Sequence, residues 1–142
     1  MNEYTLEQIY IGMEESFRKK ISVEMENTFR ELTGDYNPLH MDDGFAADVK
    51  NRKFKSHVTF GMLTASFYSV MAGMYLPGKY SLIHSFDEIS FTNPVYAGDE
   101  LEVSGKVVDK NEELGLIVLK VRIINQDKKI VSKARMKVLA MK

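Results

Sequence analysis

The sequence predicts an α+β fold, with helices in its first half and an antiparallel sheet in its second. Residues 60–76 form the most apolar stretch, interrupted by Thr64, Ser66 and Ser69. A helix apolar on nearly every side, yet short of the roughly 20 residues of a membrane span, belongs inside a protein. Beyond Pro77-Gly78, segments 82–91, 100–108, 114–125 and 129–141 are each rich in β-favouring residues. Turn signals separate them at Asn93-Pro94, Ala97-Gly98-Asp99, Asp109-Lys110-Asn111 and Asn125-Gln126-Asp127. At 142 residues the chain is a single domain spanning 1–142, so one core serves both halves.

Taken in order, residues 14–21 carry Phe17 among charges and read as a first strand. Ser22 is placed to cap a helix, because its hydroxyl can accept a first-turn amide. Val23, Phe29 and Leu32 fall near one face of that helix, Glu24 and Glu26 favour its first turn, and Gly34 ends it. Pro38 holds Asn37 extended, so residues 35–40 form a loop of defined shape. A short helix over 44–49 and the polar stretch Lys50-Asn51-Arg52-Lys53 precede the core helix. In the last two strands Leu116, Val118, Lys120, Arg122 and Ile124 oppose Ile117, Leu119, Val121 and Ile123. Ile130, Ser132, Ala134, Met136, Val138 and Ala140 alternate with Val131, Lys133, Arg135 and Lys137. A flat sheet of short strands cannot cover a central helix. A strongly curved antiparallel sheet can, and that arrangement resembles the hot-dog fold. Its open face and exposed edge predict a homodimer, or a dimer-based oligomer, paired edge to edge.

Composition narrows the function. Lys plus Arg total 19 against 20 Asp plus Glu, a formal net charge of -1, so the basic field of a nucleic-acid binder is missing. The absence of cysteine excludes a disulfide framework, a thiolate nucleophile and a cysteine-ligated metal. Met1-Asn2-Glu3-Tyr4-Thr5-Leu6-Glu7 is acidic where a signal peptide would be apolar, and the expectation is a cytoplasmic protein without a membrane span. The chain has no nucleotide-binding Gly-rich loop, no metal-spaced His pair and no GxSxG elbow, so no cofactor and no metal are expected.

Only His40, His57 and His84 are available as an imidazole base. His40 follows Asp35 in Gly34-Asp35-Tyr36-Asn37-Pro38-Leu39-His40, where Gly34 and Pro38 fix the backbone. A carboxylate and an imidazole converging on one water suit general acid–base chemistry. By spacing alone, the same residues also fit a turn capped by Asp35 with a partly buried structural histidine.

The wider context favours the first reading. Residues 29–42, Phe-Arg-Glu-Leu-Thr-Gly-Asp-Tyr-Asn-Pro-Leu-His-Met-Asp, resemble the hydratase-2 motif of the MaoC-like family of (R)-specific enoyl-CoA hydratases. Phe45-Ala46-Ala47, Phe54-Lys55-Ser56-His57-Val58, Gly61-Met62-Leu63-Thr64-Ala65-Ser66 and Leu76-Pro77-Gly78 extend the resemblance. So does the segment from Phe91 to Glu100, and the order is kept over nearly the whole chain.

The resemblance implies a hot-dog dimer that adds water to trans-2-enoyl thioesters or runs the reverse dehydration, and hence a lyase. Carried over by motif, Asp35 and His40 activate the water, Asn37 braces the loop, and Ser69 lines the site. Gly61 presents its amide to the thioester oxygen. A helix N-terminus has unpaired donors and partial positive charge, and such a donor is worth on the order of 3 kcal/mol in oxyanion sites. The thioester is carried on CoA or on an acyl carrier protein.

Two departures stand out. Phe60 occupies the place where the family usually has His before Gly-Met-Leu, which implies an altered pocket lining. Residues 48–53 are a few residues longer than in compact members; they read either as a solvated loop or as a contact for a CoA or phosphopantetheine phosphate. Among the remaining candidates, Tyr36 reads as a gate or as packing. His57 reads as a surface loop residue, His84 as structural, and Met62, Met71 and Met74 as core. Competing readings are a hot-dog thioesterase and a non-catalytic acyl-thioester-binding subunit; the intact Asp35/His40 loop argues against both.

Overall fold

The structure, a computed structural model, describes residues 1–49 and 54–142. Strand β1 (Glu14–Lys20) leads into helix α1 (Val23–Thr33), where the Ser22 hydroxyl accepts the Met25 amide. Gly34 closes that helix at φ 72°, a left-handed value that glycine adopts without a steric penalty. A single 3-10 turn, Pro38–His40, precedes the short α2 (Asp43–Asp48). The core helix α3 (Gly61–Val70) continues as a wider π turn over Met71–Tyr75. Four strands complete the chain: β2 (Ser81–Phe91), β3 (Glu100–Asn111), β4 (Leu116–Ile124) and β5 (Ile130–Ala140).

All five strands form one antiparallel sheet in the order β1-β3-β4-β5-β2. Period-two burial along β4 and β5 turns Ile117, Leu119, Val121 and Ile123, with Ala134, Met136 and Val138, toward the helix. There they join Phe67, Tyr68, Met71 and Ala72 in one hydrophobic core. Gly105 sits in β3 where a Cβ would lie 3.0 Å from the Met71 sulfur, so the strand approaches the helix closely at that point. This is the expected α+β architecture.

Several local expectations need correction. Val23 and Leu32 of α1 are exposed, and the residue that α1 buries is Glu26, at 1% exposure. The β3–β4 turn lies beyond Asp109-Lys110-Asn111: β3 runs to Asn111, Leu114 is in the turn, and its amide is held by the Asn111 side chain at 2.9 Å. A register shift between Ile123 and Ile124 places Val131 inside and Ile130 outside, reversing the start of the β5 alternation. Met71 is core as expected, whereas Met62 and Met74 are exposed on α3 and the π turn. A single sheet covers only part of the helix. The uncovered stripe runs through Met62, Ser66 and Ser69 to Met74.

The N-terminal segment is tied to this core by a bridge between Glu3 and Gly78. Gly78 has φ 98°, and a Cβ there would overlap the Asn2 carbonyl oxygen. Replacement by Ala therefore meets both a disfavoured backbone region and a clash with main chain that cannot rotate away. Gly78→Ala is expected to lose about 2 kcal/mol or more of folding free energy, read as a lower urea midpoint with an unchanged slope.

Candidate active site

Proline and two side-chain caps shape the Asp35–His40 turn. The Asp35 carboxylate accepts the Asn37 amide at 3.1 Å, and the Asn37 side chain accepts the Leu39 amide at 2.9 Å. His40 N–H closes the turn on the Asn37 carbonyl at 2.9 Å. The capping role read for Asp35 is therefore present. It engages one oxygen of a carboxylate that stays exposed, so capping and chemistry coexist in one side chain.

His40 is held from the other side by residues 58–60. Its Nδ1 lies 2.6 Å from the Val58 carbonyl oxygen, and the Val58 amide donates to the Leu39 carbonyl at 3.0 Å. A carbonyl only accepts, so Nδ1 carries a proton, and the other ring nitrogen, Nε2, has no hydrogen-bond partner among the described residues. The Phe60 ring packs on the imidazole with centroids 4.3 Å apart, and it also meets Phe29 at 5.1 Å. Phe60 is fully buried, and it is also the N-cap of α3. Phe60 thus sets an apolar ring against the His40 imidazole.

The same contact brings His40 to the start of α3. Ser22, Asn37 and Asp42 cap their helices with side-chain hydrogen bonds, whereas Phe60 supplies none. Among the described residues the first-turn amides at Gly61 and Met62 have no side-chain cap. A Cβ on Gly61 would meet the Phe91 ring at 3.3 Å, so glycine keeps this approach open between α3 and the end of β2. Ser69 is not brought to the turn in the same way. It lies eight residues along α3, about 12 Å of helix rise from Gly61, on the exposed stripe. Tyr36 is exposed and its hydroxyl donates to Glu31 at 2.9 Å, a bond that raises its pKa. It is therefore not a packing residue. His84 is exposed on β2, with Nδ1 3.1 Å from the Ser85 hydroxyl. Residues 50–53, which carry most of the expected phosphate contact, lie outside the described residues.

Sequence reasoning missed a second cluster. His57 is not a surface loop residue: its Nε2 lies 3.0 Å from Glu26 and its Nδ1 2.6 Å from Asp43. Thr59 donates to the other oxygen of Glu26 at 2.6 Å. Burial opposes the charge on His57, but the hydrogen bonds to Glu26 and Asp43 outweigh it and raise its pKa. The backbone and side-chain hydrogen bonds from His57 hold Asp43 below the usual carboxylate range. The available signal was Glu26, an ionisable residue on the same helical face as Val23 and Phe29.

A curved antiparallel sheet packed on one central helix, with the turn carrying Asp35 and His40 beside that helix's N-terminus, is the arrangement of a hot-dog protein. The chain belongs to the MaoC like domain family, whose match spans residues 8–129. An (R)-specific enoyl-CoA hydratase from Aeromonas caviae is 33% identical over 120 residues, covering 84% of this chain and 87% of that protein. A 3-hydroxybutyryl-CoA dehydratase from Methylorubrum extorquens is 33% identical, over 72% of this chain and 63% of its own length. The solved A. caviae (R)-hydratase superposes with a TM-score of 0.84 at 30% identity, over 92% of this chain and 96% of that one. An R-hydratase from Pseudomonas aeruginosa gives 0.86 at 26%, over 96% and 84%.

The paired carboxylates give a pH signature of stability. The raised pKa of His57 means its contribution is complete below the ordinary value of about 6.5 and is lost as pH rises through the folded value. The lowered pKa of Asp43 means its contribution is present above about 3.9 and lost as pH falls through its folded value. Urea unfolding across pH 4 to 9 is expected to show an alkaline decline in wild type that His57→Gln lacks.

Proposed function

We propose that this protein is a lyase that adds water to trans-2-enoyl thioesters to give (R)-3-hydroxyacyl thioesters, and that it catalyses the reverse dehydration. The hydratase and dehydratase relatives support the reaction class. The observation that carries the mechanism is the hydrogen bond from His40 Nδ1 to the Val58 carbonyl, which leaves Nε2 as an oriented base beside the start of α3.

The thioester oxygen accepts the Gly61 amide, which draws electron density from C3. His40 Nε2, with the free oxygen of Asp35, takes a proton from the bound water as its oxygen bonds to C3. Negative charge passes to the thioester oxygen, where the helix N-terminus stabilises it. The proton taken from water is then delivered to C2, so the sum is one water added across the double bond. This addition is redox-neutral, and it calls on no cofactor. Asn37 keeps the two side chains on one rigid turn. Both approach one face of a flat substrate, so hydroxyl and proton add syn.

The unit at work is a homodimer. β2 is an edge strand that exposes Leu82, Phe86, Ile89 and Phe91, and the α3 stripe with Met62, Ser69 and Met74 is open beside it. A partner pairing along β2 would cover both and bring Ser69 into an enclosed acyl site. The thioester arrives on CoA or on an acyl carrier protein. Among the described residues no helix is long and apolar enough to cross a membrane, and we place the enzyme in the cytoplasm.

Purified protein with short and medium trans-2-enoyl-CoAs should remove the conjugated double bond, and deuterated water should label C2 syn to an (R) hydroxyl. An (S) product, or anti addition, contradicts the shared-water mechanism; free acid without a hydroxyacyl thioester makes the chain a thioesterase. His40→Ala and Asp35→Asn should each slow hydration by about 10²–10⁴-fold in a folded protein. Near wild-type turnover in either removes that residue from the chemistry. Sedimentation should give a dimer at micromolar concentration, and an active monomer would refute the assembly.

A further inference from the structure

We propose that Glu26, His57 and Asp43 form a clasp that positions the catalytic histidine: they fix the segment 57–59 whose Val58 carbonyl sets the orientation of His40. The proposal rests on His40 being the base of the reaction above.

His57 places both ring nitrogens against carboxylates, Nε2 at 3.0 Å from Glu26 and Nδ1 at 2.6 Å from Asp43. A carboxylate oxygen accepts, and a neutral imidazole has one N–H, so only the doubly protonated cation satisfies both bonds. Glu26 is 1% exposed on α1, and Asp43 stands exposed at the start of α2. The imidazolium therefore ties a buried helix position to a surface helix. The backbone follows the side chain: the His57 amide also donates to Asp43 at 2.9 Å. Thr59 is tied at both ends, its hydroxyl to Glu26 at 2.6 Å and its amide to the Val95 carbonyl at 2.8 Å. Val58 lies between these two anchored residues. Its amide and carbonyl are the two groups that meet Leu39 and His40.

Among the described residues, the charges that face the cluster are Glu26 on α1 and Asp43 on α2. Arg30, one turn beyond Glu26, turns its Nη1 to Asn27 at 2.9 Å, and Lys55 lies over the Tyr96 ring at 4.4 Å. Two carboxylates thus hold one cation. When His57 loses its proton, one of the two bonds breaks, segment 57–59 loosens, and the carbonyl that selects the His40 tautomer moves. A small displacement of a catalytic base costs rate without changing how the thioester is held.

The test uses the full chain with Asp43→Ala, which removes the oxygen that accepts both His57 bonds, and His57→Gln. Asp43 is exposed, so its replacement strands no buried group and keeps the fold; His57→Gln removes the cation itself. Two quantities are read. The first is the tautomer of His40 at pH 7.5, from long-range proton–nitrogen correlations of the imidazole rings. The second is kcat and KM for a short trans-2-enoyl-CoA from pH 6 to 9. Wild type should show His40 protonated at Nδ1 and an alkaline fall in kcat. Both variants should show mixed His40 tautomers and kcat lower by about 10–100-fold with KM within about twofold; the alkaline limb should move to lower pH in Asp43→Ala, which keeps His57, and vanish in His57→Gln. Folded Asp43→Ala with an unshifted His40 and wild-type kcat overturns the clasp. Lower thermal stability in His57→Gln with His40 and kcat unaltered also overturns it, leaving a purely structural brace. Wild type that hydrates no enoyl thioester refutes the proposed function instead, and the tautomer measurement then decides the clasp alone.

Discussion

Helix α3 buries Leu63, Thr64, Ala65, Phe67 and Tyr68 against one five-stranded sheet, and the geometry of the site depends on that one-sided packing. Each buried aliphatic or aromatic side chain contributes roughly 1.5–3 kcal/mol, enough to fix the helix axis against the strands. Tyr68 adds a directional bond, its hydroxyl donating to Ser132 at 2.8 Å, and burial pushes its pKa up to about 12. With the axis fixed, the N-terminus of α3 must emerge where Phe60 is fully buried. An apolar N-cap cannot satisfy the first amides. The packing that holds the helix therefore also leaves its N-terminal turn without a side-chain cap.

The turn carrying Asp35 and His40 depends on the same packing at one remove. It is exposed and has little burial of its own, so its shape comes from local bonds through Asp35 and Asn37 and from the strap at residues 57–59. Phe60 joins the two systems, packing on His40 with one face of its environment and starting α3 with its backbone. A side chain on a loop gains its precision from the rigid elements around it. Here those elements are a helix, a buried carboxylate and the sheet.

The buried carboxylate is the costly part of this arrangement. Glu26 is removed from water and is compensated by the Thr59 hydroxyl and the His57 ring. Such buried pairs rarely exceed a well-packed apolar alternative in stability, although breaking one side is strongly destabilising. What Glu26 supplies is direction. An apolar side chain at that position would pack without dictating where residues 57–59 lie.

The sequence by itself determined the class of fold, the strand segments and the chemical turn. Each of these is written in local chemistry: period-two alternation in β4 and β5, the Ser22 cap, the Gly34 stop, and the Pro38 that shapes Asp35 to His40. Tertiary structure decided the rest. Whether Met62 is core or surface depends on how far one sheet reaches round the helix, and no periodicity encodes that reach. Val131 faces inward because a register shift intervenes, and a shift of one residue inverts an alternation that the sequence shows as unbroken. Glu26 and His57 stand 31 residues apart in the chain, and neither shows by itself that the other is its partner. Only folding brings the carboxylate to the imidazole, because the free energy that keeps a charge buried belongs to the pair and not to either residue.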